Sequence, residues 1–308
     1  MKYRRLGRTG LSVSVVGVGT WQFGGEWGKD FEQREVDAML DRARELGINL
    51  VDTAECYGDH TSEELVGGAI AKRRDEWVVA TKFGHRFTGL HEREQLWSAK
   101  EVLLQLERSL RRLRTDHVDI YQFHSGPDDV FDQDDLWEML RDQVDAGKIR
   151  HLGVSIGRNT NLHQTDRSTE IGSEVTQLIY SRLDQEPEES VLPSCARQDL
   201  GVIAREALAG GLLSGRYAPG TRFTNPADTR STRSSEELDR RLEQVRRIQA
   251  EEVPADTPMA AWALAWCLQH PAVTAVIPGC KTVAQVESNA LAADLDLVRA
   301  DHPQAVDG

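Results

Sequence analysis

Residues 49–67, NLVDTAECYGDHTSEELVG, run from an apolar stretch to a carboxylate, pass through Cys-Tyr-Gly, and end in a segment that opens on Thr61, Ser62, Glu63 and Glu64. The first six positions read as a buried strand. TSEELVGGAI reads as a helix capped by Thr61 or Ser62, with acids in its first turn. Strand, short polar turn and helix make the first half of a βα unit. A buried strand does not ordinarily finish on a carboxylate unless a positive group meets it, so Asp52 needs a partner elsewhere in the chain.

The same unit recurs along the sequence. Apolar runs at VSVVGVGTW, NLVDTA, EWVVATKF, HVDIYQFH, IRHLGVSI, EVTQLIY, GVIAREAL and AVTAVIPG are short, rich in β-branched residues and bounded by polar residues or glycine. They read as eight buried parallel strands. Between them, Val36, Met39, Leu40, Ala43 and Leu46 form a helical stripe that stops at Gly47. Ala99, Val102, Leu103, Leu106, Leu110 and Leu113 form another. Strands alternating with helices predict an α/β chain folded as a (β/α)8 TIM barrel; an open doubly wound sheet is the rival. YRRLGRTGLSVS predicts a short N-terminal β-hairpin ahead of the first barrel strand. Three loops, 85–97, 125–135 and the long 214–237, follow strands and so belong to the C-terminal face, where barrel active sites lie. No repeat, low-complexity tract or linker divides the sequence, which predicts one domain over residues 1–308.

Composition narrows the function classes. A net charge of −13 disfavours nonspecific binding to nucleic acid or to an anionic membrane. No apolar run reaches the length of a membrane span, and no apolar segment follows the basic N-terminus as in a secretory signal. Cys56, Cys195, Cys267 and Cys280 are scattered, without a C-x-x-C pair, which suits reduced thiols in a cytoplasm better than a disulfide framework or a metal site. Cys56 itself reads as a packed thiol.

Four polar residues stand at or just beyond consecutive strand ends: Asp52, Tyr57, Lys82 and His124. Each alone has an ordinary structural role, as a cap, a loop aromatic, a snorkelling lysine or a packed histidine. In a barrel, however, these strand ends are neighbours. Asp52 and Lys82 then form a partly buried ion pair, and the ammonium favours the phenolate of Tyr57, lowering a pKa that is otherwise near 10. His124 orients a substrate oxygen or relays a proton. With no nucleophile and no metal cage in the set, it points to proton transfer coupled to another event.

GVGTWQFGG, DTAECYGDHTSEELVG, VVATKFG, VDIYQFH, IRHLGVS, VTQLIYS, AGGLLSGRY and IPGCKTVAQVESNA, in this order and spacing, make the chain resemble an aldo-keto reductase nearly end to end. The resemblance implies a barrel that uses NADP(H) to interconvert carbonyls and alcohols. Hydride passes between the nicotinamide and the carbonyl carbon, Tyr57 is the general acid/base, and Asp52, Lys82 and His124 complete the catalytic set. It implies cofactor contacts from Gly19, Thr20 and Trp21, from Ser155 and Gln177 to the carboxamide, and from Tyr180 stacked on the nicotinamide. Ser214, Gly215 and Arg216 fall where relatives fold a loop over the pyrophosphate. Gly279, Lys281, Thr282, Gln285 and Asn289 sit at a helix N-terminus that suits the 2′-phosphate and adenine end. Ile156 departs from the pattern, standing where the family has an asparagine. No Rossmann glycine fingerprint is present, which disfavours the open sheet.

The substrate pocket is expected to be walled by Trp21, Phe23, Trp27, Phe83 and Phe87, with an aldehyde, ketone or sugar-like substrate. A second reading keeps the barrel and the nicotinamide but makes the protein a regulatory subunit with little or no turnover, as some barrel relatives are for ion channels. Neither the physiological substrate, the preferred direction nor the oligomeric state is legible from the sequence.

Overall fold

The computed structural model describes residues 1–306; positions 307 and 308 of the expected domain lie outside the described residues. Among these residues, eight parallel strands form one continuous sheet: β1 (Val18–Gly19), β2 (Leu50–Asp52), β3 (Val78–Phe83), β4 (Val118–His124), β5 (Ile149–Ser155), β6 (Ser173–Ile179), β7 (Gly201–Arg205) and β8 (Ala275–Val276). Each pairs with the next in sequence. The sheet also closes on itself. Gly17 N–H donates to Val276 O (2.8 Å), Val276 N–H to Val15 O (2.9 Å) and Gly19 N–H to Pro278 O (3.1 Å). The (β/α)8 barrel expected from the strand–helix alternation is therefore the fold.

Period-two alternation along the strands decides what the barrel encloses. Leu50, Val78, Ala80, Ile120, Val175, Ile203 and Ala275 face inward and pack as one apolar cluster, with Leu6 and Val13 of the N-terminal hairpin beneath them. Two residues further along the same strands, the inward positions become Asp52, Lys82, Gln122 and Gln177. The interior is thus apolar at the bottom and polar at the C-terminal end. Residues of opposite parity, such as Val79, Phe83, Tyr121 and Phe123, point outward into the main core under the helices.

The hairpin is Tyr3–Arg5 paired with Ser12–Ser14, as expected; Ala305–Val306 joins it as a third strand that the sequence did not announce. Buried Arg4 donates to Val273 O (2.7 Å) and Leu268 O (2.8 Å) and ties this sheet to the barrel floor. The helix at Gln33–Glu45 buries Val36, Met39, Leu40 and Ala43. The helix at Ala99–Leu113 buries Val102, Leu106, Leu110 and Leu113 and is capped by Ser98. One cap differs from expectation. The helix at Thr61–Ile70 starts after His60, which has φ 66°, and neither Thr61 nor Ser62 caps it. Ser62 is buried instead, its hydroxyl donating to Thr20 O (3.0 Å) and bonded to Thr20 Oγ1 (2.7 Å).

Three insertions stand on the C-terminal face. Residues 85–97 contain a two-stranded hairpin, His85–Gly89 with Glu92–Gln95, and 125–135 contain a short helix at Asp128–Phe131. The long 214–237 stretch is irregular until Thr229–Thr232 and gives way to a helix at Ser235–Glu251. No helix of the described residues is long and apolar enough to cross a membrane.

Candidate active site

The polar end of the barrel is built on Lys82. Its side chain is fully buried, and Nζ donates to Asp52 Oδ1 (2.6 Å), Thr53 O (2.8 Å) and Tyr57 Oη (3.2 Å). Asp52 therefore has the partner its position required. Its second oxygen accepts from Gln177 Nε2 (2.8 Å) and Gln122 Nε2 (3.2 Å), so four strands converge on one carboxylate. Burial opposes the charge on Lys82, but Asp52 and Tyr57 outweigh it and the net shift of the ammonium is upward.

Tyr57 sits on the turn after β2, its ring stacked on Trp21 (centroids 6.0 Å, 26°) and edge-on to His124 (6.2 Å, 83°). Its pKa departs from the sequence expectation. Burial raises it, Lys82 pulls it down and Asp52 pushes it up again, leaving it at about 12. The ammonium acts in the expected direction, but removal of the phenolate from water is the larger effect. His124, at the end of β4, is held well below the ordinary histidine range by burial and by the surrounding His85, Lys82, Arg205 and Arg93. It is neutral at neutral pH. Cys56 Sγ lies 3.8 Å from His124 Nδ1, and burial pushes the thiol up to about 12, in keeping with a packed, unreactive cysteine.

A cleft of about 680 Å³ opens above this group and runs along the barrel mouth to the segment after β8. All of Asp52, Tyr57 and His124, and of the expected cofactor contacts Gly19, Thr20, Trp21, Gln177, Ser214, Arg216, Gly279, Lys281, Gln285 and Asn289, line it. Gly19 is a place where only glycine fits, since a Cβ there would stand 2.5 Å from Ile277 O. Lys281, half-buried, donates from Nζ to Trp27 O (2.6 Å), and Gln285 Oε1 accepts from Lys281 N–H (2.7 Å). Burial and Arg230 lower the Lys281 pKa.

Other expected contacts lie elsewhere. Tyr180 does not line the cleft. Its hydroxyl donates to Glu188 (2.6 Å) and its ring rests against Trp266 (5.3 Å, 35°), because Tyr180 has the opposite parity to inward-facing Gln177. Thr282 caps the helix at Val283–Ala290 through Gln285 N–H (3.2 Å), and Gly215 supplies the turn between two lining residues. Ser155 is buried on the barrel wall just beneath the cleft. Of the expected substrate-pocket aromatics, Trp21 and Trp27 line the cleft and three do not. Phe23 packs on Phe31 (5.1 Å), Phe83 points outward onto Tyr121 (4.8 Å), and Phe87 lies under Arg93 on the hairpin.

Several of the other lining residues are polar. Glu26, His85, His91, Arg93, Ser125 and Arg205 line the cleft, and the sequence reading had none of them. Arg205 was recoverable, since Ile203 faces inward and Arg205 shares its parity. The others come from loops whose paths no periodicity reveals.

Among the buried polar atoms that lack any partner are Ser155 Oγ and Gln177 Oε1. One is a hydroxyl able to donate and the other an acceptor, the complement of a carboxamide's C=O and NH2. The donor set thus fits a nicotinamide carboxamide. No group of three or more His, Cys, Asp or Glu side chains suited to a metal ion occurs among the described residues.

A family model described as the aldo/keto reductase family matches residues 15–307. YqkF of Bacillus subtilis (strain 168), an uncharacterized oxidoreductase, is 33% identical over 298 residues, covering 96% of this chain and 92% of that protein. The solved holo form of aldo-keto reductase AKR11C1 from Bacillus halodurans is similar with a TM-score of 0.79 at 32% identity, covering 96% of this chain and 91% of the other. A probable voltage-gated potassium channel subunit beta of Oryza sativa subsp. japonica is 29% identical over 322 residues, covering 100% of this chain and 95% of that protein.

Proposed function

The chain belongs to the aldo/keto reductase family, and from that membership we propose that it is an NADP(H)-dependent oxidoreductase, interconverting an aldehyde, ketone or sugar carbonyl with its alcohol. The observation that carries this reading is the buried relay Asp52–Lys82–Tyr57, at 2.6 and 3.2 Å, with its phenol facing a cleft beside neutral His124. Residues 1–308 act as one unit in this reading. Its small-molecule substrate and its four free, buried cysteines accord with a cytoplasmic protein.

When bound, NADPH supplies the hydride for the carbonyl carbon. Tyr57, kept neutral by burial, donates its phenol proton to the substrate oxygen as negative charge builds there. The Lys82 ammonium behind it stabilises the phenolate that remains, and Asp52, held by Gln122 and Gln177, keeps that ammonium in place. Neutral His124 orients the same oxygen by hydrogen bonding. Ser155 and Gln177 would hold the carboxamide, and Ser214 and Arg216 the pyrophosphate. Lys281, at the N-terminal end of the last barrel helix with Gln285 and Asn289, would meet the 2′-phosphate and adenine.

NADPH oxidation measured against a panel of aldehydes, ketones and sugars, with NADH in parallel, tests this. Wild type is expected to turn over at least one carbonyl with NADPH preferred. Tyr57→Phe is expected to lose about 10²–10⁴ of that rate with NADPH affinity unchanged; a Tyr57→Phe variant as fast as wild type would sink the reading. The similarity to a channel subunit supports one alternative, a nicotinamide-binding regulatory subunit. Tight NADPH binding with no turnover across the panel, together with a stable hetero-complex, would favour it.

A further inference from the structure

We propose that Glu26 is a positioning residue for this reaction, a buried carboxylate that locks the carbonyl end of the cleft from both sides; the proposal rests on the reductase reading above. Glu26 is 1% exposed. Its Oε2 accepts from Trp21 Nε1 (2.9 Å) and from Arg93 Nη2, and its Oε1 from His91 N–H (3.2 Å). Its own carbonyl accepts from Thr229 N–H (3.0 Å). One residue on the β1 loop therefore fastens that loop to the 85–95 hairpin and to the long loop after β7.

Both fastenings lead to the reacting groups. On one side Trp21 stacks on Tyr57, so the indole that Glu26 fixes sets the plane in which the phenol lies. On the other, Arg93 belongs to the strand paired with His85–Gly89, and His85 Nε2 bonds His124 O. A carboxylate with two cationic or N–H donors on one oxygen, inside a buried wall, is fixed far more firmly than an exposed ion pair. Removing it frees the Trp21 indole and leaves Arg93 half-buried without its counter-charge. Glu26 forms no hydrogen bond with the cofactor-side residues Gly279, Gln285 and Asn289. The consequence is a larger effect on carbonyl turnover than on cofactor affinity.

The test compares wild type, Glu26→Gln, Glu26→Ala and Tyr57→Phe for carbonyl kcat and KM, for NADPH affinity by fluorescence titration, and for thermal unfolding. Glu26→Gln keeps an acceptor for Trp21 and loses the charge for Arg93, so its kcat/KM falls about tenfold; Glu26→Ala falls about a hundredfold, within the range that misplacing a catalytic group costs. NADPH affinity is expected to fall by less than kcat/KM in both. Wild-type kcat/KM in Glu26→Gln, or an equal loss in NADPH affinity and in kcat/KM, overturns the proposal. If Glu26→Ala does not fold, Glu26→Gln alone decides by the same criteria. Loss of turnover in Tyr57→Phe with full turnover in the Glu26 variants overturns this inference and leaves the functional reading standing; no turnover in wild type overturns both.

Discussion

A phenol whose pKa is near 12 is an acid that never runs short of its proton at neutral pH. Carbonyl reduction, which consumes that proton, should show no loss of kcat from Tyr57 ionisation between roughly pH 6 and 9. Alcohol oxidation needs the phenolate and should rise with pH over the same range. A pH profile in both directions checks this, and a reduction rate that falls through neutrality with Tyr57 as its titrating group would contradict it. Lys82 makes a second residue-scale prediction. Lys82→Met leaves Asp52 buried without its cation, which costs about 3–5 kcal/mol by urea unfolding, besides removing the group that stabilises the phenolate. His124 gives the third. Its pKa is depressed by burial, so the unfolded chain takes up a proton below about pH 6.5 that the folded chain refuses. Stability therefore falls as pH drops through that value, and His85, also depressed by burial, adds to the slope in the same direction. His124→Gln should flatten the loss measured between about pH 7 and pH 5. The four catalytic candidates were legible because each ends or follows an apolar run, where a polar residue is conspicuous. The net pKa of Tyr57 was not, because burial is a property of the whole surroundings while the lysine is a single neighbour.

At the scale of elements, parity along a strand separates the expected site residues that face the barrel interior from those that do not. Asp52, Lys82 and Gln177 lie on inward positions; Phe83 and Tyr180 lie on outward ones and pack under the helices. Counting by twos from Lys82 and Gln177 removes both from the cleft without any structure. The 85–95 hairpin was less accessible. HRFTGLHEREQ is mostly polar, and its burial alternates only weakly between intermediate and exposed, so it read as a loop. Its position is set by Gly84, at φ 110°, where a Cβ would stand 1.8 Å from Trp97. Gly84→Ala must displace the Trp97 ring and strain the backbone, at a cost of about 1–3 kcal/mol. A lower urea midpoint with reduced carbonyl kcat/KM is the expected result, because the same hairpin carries His85 and Arg93.

The barrel as a whole was readable because eight repeats of one pattern reinforce each other, and its closure between β1 and β8 follows once eight strands must bury both edges. The roof of the cleft was not readable. It joins loops from β1, β3, β7 and β8, separated by up to 254 positions, through single contacts such as Trp27 O with Lys281 Nζ and Glu26 O with Thr229 N–H. Lys281 belongs to both roof and cofactor end. Lys281→Met is expected to weaken NADPH binding about tenfold, the usual worth of a charge-assisted contact of about 1.5 kcal/mol, and to leave NADH binding nearly unchanged; equal losses for both cofactors would assign Lys281 to the roof alone. The central claim is that Tyr57 gives a proton to an oxygen whose carbon receives hydride from NADPH. The direct measurement is deuterium transfer from NADPH labelled at nicotinamide C4 into the carbinol carbon of the product, in wild type and Tyr57→Phe. The account predicts full label at that carbon in wild type and loss of product formation in Tyr57→Phe; unlabelled alcohol, or labelled alcohol formed as fast by Tyr57→Phe, would contradict it.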